Sequence, residues 1–77
     1  MSDLYPTLTR RKLLAAVGRG RIVIANGVTL WRIDGGWNRR CESAVREQLA
    51  AGWIVLGADG CTYELTAAGR AVLDGAR

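Results

Sequence analysis

Apolar positions recur along the chain at two spacings, and the change from one to the other divides it into elements. Leu13, Leu14 and Val17 fall at helical spacing behind Thr7 and Thr9, either of which can cap a helix through residues 10–17. Gly18 and Gly20 stop it, and Leu4 or Leu8 can join its inward face across the preceding turn. Residues 21–33 are rich in β-branched side chains and centre on Asn26-Gly27, the strongest short hairpin signal available to a sequence. A two-residue loop pairs Ala25 with Val28 and Val23 with Leu30, so these four share a face with Arg21 and Arg32. Ile22, Ile24, Trp31 and Ile33 take the other face. Both faces are apolar, which leaves two solutions: self-association through the ribbon, or partial cover of one face by the N-terminal segment.

Asp34-Gly35-Gly36-Trp37 reads as a turn, and Asn38 as the N-cap of a helix over 38–51 with Gly52 as its stop. At 100° per residue, Cys41, Val45, Gln48 and Leu49 point inward with Ala44 at the margin. Arg39, Ser43, Arg46 and Ala50 lie opposite, flanked by Arg40 and Glu47. Residues 53–65 form a second hairpin turned at Asp59-Gly60, in which Leu56 meets Tyr63 and Ile54 meets Leu65 on a face shared with Ala58 and Cys61. Thr66 caps a last helix over 67–76, with Ala68, Ala71 and Val72 inward. Gly69 weakens that helix by about 1 kcal/mol relative to Ala, and close packing against a neighbouring backbone accounts for it. The expectation is a small α+β domain of order α-β-β-α-β-β-α, one unit over 1–77.

Composition narrows the function more than the fold. At 77 residues the chain has apolar side chains for one core. It contains no His and two Cys, so proton-transfer and metal-binding chemistry is poorly supplied; an enzyme, a cofactor or a metal site is not expected. Cys41 and Cys61 read as reduced, packed thiols, with no His to activate Cys41 as a nucleophile, and Ser43 fails similarly. Thr9-Arg10-Arg11-Lys12 looks superficially like a twin-arginine signal, but the apolar run behind it is too short. No uncharged stretch reaches the roughly 18 residues of a membrane span, so a cytoplasmic protein is expected. Eleven Lys and Arg against seven Asp and Glu give a net charge of +4, which favours a polyanionic partner. Ten of the eleven are Arg, a bias that a GC-rich genome would also supply. Trp31, Trp37 and Trp53 read as core or interface anchors, with base stacking by Trp37 the sharper alternative.

Residues 44–73 resemble the C-terminal half of winged helix-turn-helix DNA-binding domains. The order is helix Ala44-Val45-Arg46-Glu47-Gln48-Leu49, break Ala51-Gly52, strand Trp53-Ile54-Val55-Leu56, strand Tyr63-Glu64-Leu65, then Thr66-Ala67-Ala68-Gly69-Arg70 opening a helix. The Ala/Arg-rich style looks like small actinobacterial, phage or plasmid regulators. The resemblance implies a sequence-specific double-stranded DNA-binding protein, a transcription regulator acting as a homodimer that spans two half-sites. Its helix 38–51 would enter the major groove, with Arg39, Arg40, Ser43 and Arg46 reaching bases or phosphates. Arg10, Arg11 and Lys12 would grip the backbone. Two features depart from the family pattern: a hairpin stands where a helix usually precedes the recognition helix, and the wing tip carries no cation. These motivate the alternative, a protein-interaction module on a winged-helix scaffold, of the phage or plasmid type that docks onto a host protein.

Overall fold

The computed structural model describes residues 4–33 and 36–75. The first helix, α1 (Leu8–Gly18), is capped by Thr7, whose Oγ1 accepts from the Arg10 N–H at 3.3 Å. Its inward stripe is Leu13, Leu14, Ala16 and Val17, all buried. Each fully buried leucine contributes about 1.5–3 kcal/mol relative to exposure. Of the two leucines expected to extend the stripe, Leu4 packs against the core while Leu8 is exposed.

The first hairpin forms in the expected register. β1 (Ile22–Ala25) and β2 (Val28–Ile33) pair Ala25 with Val28 and Val23 with Leu30. Asn26 and Gly27 both have positive φ, 52° and 77°, the primed turn whose twist matches the strands and which Asn-Gly tolerates best. Ile22 and Thr29 on one face are buried, and the outer edge of β1 is met by the second hairpin. There the Ile24 N–H donates to the Cys61 carbonyl at 2.7 Å, and Val23 bridges Thr62.

The next segment departs from expectation. Trp37–Arg40 is a strand, β3, antiparallel to β2, with Trp31 opposite Arg39 and Leu30 opposite Arg40. The element order is therefore α-β-β-β-α-β-β-α, within the α+β class expected. Asn38 caps nothing, and the second helix, α2 (Glu42–Ala51), starts four residues later with Cys41 as its cap residue. A side-chain cap is worth about 1 kcal/mol. Pairing four residues along the open edge of β2 satisfies a row of backbone groups on both strands and wins that competition. The ladder runs on until the Cys41 N–H donates to the Thr29 carbonyl at 3.1 Å. Asp34 and Gly35 of the expected turn lie outside the described residues, as does the side chain of Trp37.

In α2, Val45 and Gln48 are buried, but Leu49, expected inward, is 38% exposed. Gly52, in the left-handed conformation, ends the helix. β4 (Ile54–Leu56) and β5 (Tyr63–Leu65) hold the expected register, Leu56 with Tyr63 and Ile54 with Leu65. The loop opens by one pair: it closes at Gly57 and Thr62, 2.8 Å, because the Asp59 carboxylate takes the N–H groups of Cys61 and Thr62. Cys61 is consequently exposed, not packed, while Cys41 is buried; both are free thiols. The last helix, α3 (Ala67–Asp74), is capped by Thr66 Oγ1, which accepts from Gly69 N at 3.0 Å and donates to the Gly52 carbonyl. Its inward residues are Gly69, Val72 and Leu73; Ala68 and Ala71, expected inward with Val72, are exposed. A Cβ on Gly69 would lie 1.9 Å from the Trp53 carbonyl oxygen, which is the close backbone approach that the glycine implied. Residue 76, the expected end of this helix, is outside the described residues. No helix is long and apolar enough to cross a membrane.

Candidate nucleic-acid interface

The seven candidate contact residues come from three elements rather than two. Arg10, Arg11 and Lys12 lie in the first half of α1, Arg39 and Arg40 on β3, and Ser43 and Arg46 on α2. Moving Arg39 and Arg40 from helix to strand changes what they present. Consecutive strand residues point to opposite faces, so Arg39 shares a face with Trp31 and Arg40 with Leu30. α2 itself keeps Ser43, Arg46 and Ala50 exposed on one side, leaving Arg46 as the cation of that side.

Two of the seven are held by the protein's own acids. Arg10 turns toward α2 and forms a two-pronged pair with Glu47, Nε to Oε1 at 2.8 Å and Nη2 to Oε2 at 3.0 Å, while its Nη1 donates to the Tyr5 carbonyl. The hydrogen bond from Arg10 holds the Glu47 carboxyl below its usual range, and Glu47 raises Arg10 in return. This pair also relieves the unfavourable placement of a cation in the first turn of α1, where no acidic residue lies. Arg10 is therefore a strut between α1 and α2. Arg40 reaches Glu42 through Nε and Nη2, at 3.3 and 3.1 Å, and that hydrogen bond is the main reason the Glu42 carboxyl is lowered. Among the described residues, no ion pair engages Arg11, Lys12, Arg39 or Arg46.

Charge is unevenly divided along the chain. Up to residue 52 there are nine Lys and Arg against four Asp and Glu; beyond it, two against three. The basic excess thus sits on α1, the three-stranded sheet and α2. The tip of the second hairpin, residues 57–62, carries the opposite sign. Asp59 is exposed there, and hydrogen bonds from Cys61 N, Thr62 N and Thr62 Oγ1 keep its carboxyl ionised below the ordinary range. A second cation group escaped the sequence reading. Lys12, Arg19, Arg21 and Arg32 line a cleft of about 260 Å³ between α1 and the hairpin, with Trp31 in its wall. Its signal is present in the register, which puts Arg21 and Arg32 on one face; Lys12 of α1 and its C-cap residue Arg19 supply the other two.

Trp31 also lines a larger cleft of about 520 Å³, bounded by α1, β3 and the start of α2, with Arg39, Arg40 and Ser43 in its lining. The two clefts share this residue as a wall, one cleft on either side of it. Cys41 lines the larger cleft as well, but burial pushes its thiol up, which disfavours the thiolate a nucleophile needs. Among the described residues, no cluster of His, Cys, Asp or Glu could hold a metal ion. No protein-family model, no curated protein and no solved structure matches this chain.

Proposed function

We propose that the protein binds double-stranded DNA in a sequence-dependent way and acts as a transcription regulator. The observation that carries this reading is the basic excess of α1, the three-stranded sheet and α2, in which Arg11, Lys12, Arg39 and Arg46 stand outside any ion pair among the described residues while Glu42 and Glu47 are taken up by Arg40 and Arg10. In this reading Arg39, Arg11 and Lys12 meet phosphates and fix the register, a role without sequence information. Arg46 and Ser43, on the exposed side of α2, reach base edges in the major groove, where an Arg fork suits guanine O6 and N7. The ten-residue helix is about 15 Å long, enough to lie across a groove about 12 Å wide. The wing tip, with Asp59 ionised, stays away from the phosphates. Titration of duplex DNA at several salt concentrations tests the proposal: neutralising about five phosphates gives a log–log slope near −4 to −5. Salt-independent binding, or none to any duplex, contradicts it.

A second reading, a protein-interaction module, draws support from Val55 and Leu56 of β4, which are 49% and 48% exposed. A stoichiometric partner that survives nuclease treatment in a pull-down would favour it over DNA. Dimerisation, either way, is checked by light scattering at micromolar concentration, with twice 8.3 kDa expected for a dimer.

A further inference from the structure

The cleft at the start of α2 holds an unresolved polar account. Gln48 is fully buried and lines the cleft. Its Nε2 is spent on the Arg10 carbonyl at 3.0 Å, and its Oε1 is buried without any hydrogen-bond partner. A buried acceptor left unpaired costs about 1–3 kcal/mol, so its natural complement is a ligand that brings a donor. At the mouth, the three guanidiniums and two carboxylates do not balance: Arg10 is paired with Glu47 and Arg40 with Glu42, and Arg39 is the surplus cation. α2 has no side-chain cap, so the first-turn N–H groups of Ser43 and Ala44 stand without a side-chain acceptor beside Arg39. Trp31 and Leu13 give the space between an aromatic and aliphatic wall.

A ligand that fits must therefore carry an oxyanion at one end, a hydrogen-bond donor at the other and an apolar, preferably planar, middle. We propose that this cleft is a pocket for a single nucleoside phosphate, its phosphate at Arg39 and the α2 N-terminus, its base against Trp31 and a base N–H donated to Gln48 Oε1. Every nucleobase offers such a donor, and a volume of about 520 Å³ lies within the usual range of small-ligand sites. The source is either a free nucleotide or a strand end. The inference deepens the nucleic-acid reading and shares Arg39 with it, while Gln48 belongs to the pocket alone.

The test is a ¹⁵N NMR titration of the intact chain with the four 2′-deoxynucleoside 5′-monophosphates, a dinucleoside monophosphate and inorganic phosphate. Expected are saturable shifts of the Gln48 side-chain amide and the Ser43 and Ala44 N–H groups, with dissociation constants of about 1 mM or tighter for nucleotides and at least about tenfold weaker binding of phosphate. Tighter binding of the dinucleoside assigns the site to a strand end, and tighter binding of the monophosphates to a free nucleotide. Gln48→Leu, which removes the orphan acceptor, should weaken nucleotides about tenfold and leave duplex affinity unchanged; Arg39→Ala, at an exposed strand position, should weaken both. Absence of saturable shifts with every nucleotide, phosphate binding as tightly as they do, or an Arg39→Ala protein that binds them undiminished overturns the pocket. Failure of duplex binding with nucleotide binding intact removes only the regulator reading, and the reverse result removes only the pocket.

Discussion

The two halves of the chain are built to different ends. Residues 53–75, the second hairpin and α3, are joined by backbone contacts: Thr66 N donates to the Trp53 carbonyl at 3.0 Å, Thr66 Oγ1 caps α3, and Gly69 lies directly against Trp53. This half is net acidic, with Arg70 against Asp59, Glu64 and Asp74, and its exposed tip is acidic too. Residues 4–52 carry the basic excess, and the polar contacts that tie α1 to α2 are made by side chains: Arg10 to Glu47 and Gln48 to the Arg10 carbonyl. The difference teaches that the second hairpin and α3 are locked by backbone packing, while the unpaired cations that the proposed function needs lie on α1, the sheet and α2. Substitutions in the second half should therefore change stability with no effect on duplex affinity. Substitutions among the unpaired cations should do the reverse.

The most severe test of the scaffold half is Gly69→Ala. The added methyl would collide with the Trp53 backbone, which cannot swing away as a side chain could, and a loss of about 3 kcal/mol in urea unfolding is expected. A loss below about 0.5 kcal/mol would mean that the helix and hairpin are less tightly apposed. On the basic half, Arg46→Ala should weaken a selected cognate duplex by about 1–3 kcal/mol, weaken random duplex less, and leave the unfolding midpoint in place. Equal losses on both duplexes would reduce Arg46 to a phosphate contact. Thr66→Ala removes the α3 cap at a cost of about 1 kcal/mol, without altering the salt dependence of binding.

Acid separates the halves less sharply, because each holds lowered carboxyls: Glu42 and Glu47 in one, Asp59 in the other. A carboxyl whose folded value lies below its unfolded value contributes stability that is fully present above the ordinary carboxylate range. That contribution is lost as pH falls through the folded value, so the unfolding midpoint should decline on the acid side of about pH 4. Glu47→Gln should flatten this decline and, by freeing Arg10, strengthen duplex binding at low salt. A variant with unchanged acid sensitivity would show that the Arg10–Glu47 pair contributes nothing in solution.

What could be read from the sequence follows the range of the interaction that decides each feature. Asn26-Gly27 sets its hairpin through local backbone preference, and the Leu56–Tyr63 register follows from alternation. Thr66 and Gly69 announce the start of α3 and its close approach. Asn38 behind a glycine turn is a good local cap signal and favours a helix over Arg39 and Arg40, whereas the open edge of β2 that recruits them is visible only once the sheet exists. Arg10 and Glu47 are 37 residues apart, and neither position carries a mark of the other. The inward place of Gln48 was readable from helical spacing; its unpartnered oxygen was not, since that depends on what α1 and β3 leave empty.

The division of labour stands on the excess cations, and duplex affinity measured against salt for the parent and for a Lys12→Ala/Arg39→Ala double variant tests it most directly. Both residues are exposed and without ion pairs among the described residues, so the fold should be intact and the slope of log affinity against log salt should become shallower by about 2. An unchanged slope in the folded variant, or a parent whose binding ignores salt, would contradict the assignment of this face to nucleic acid.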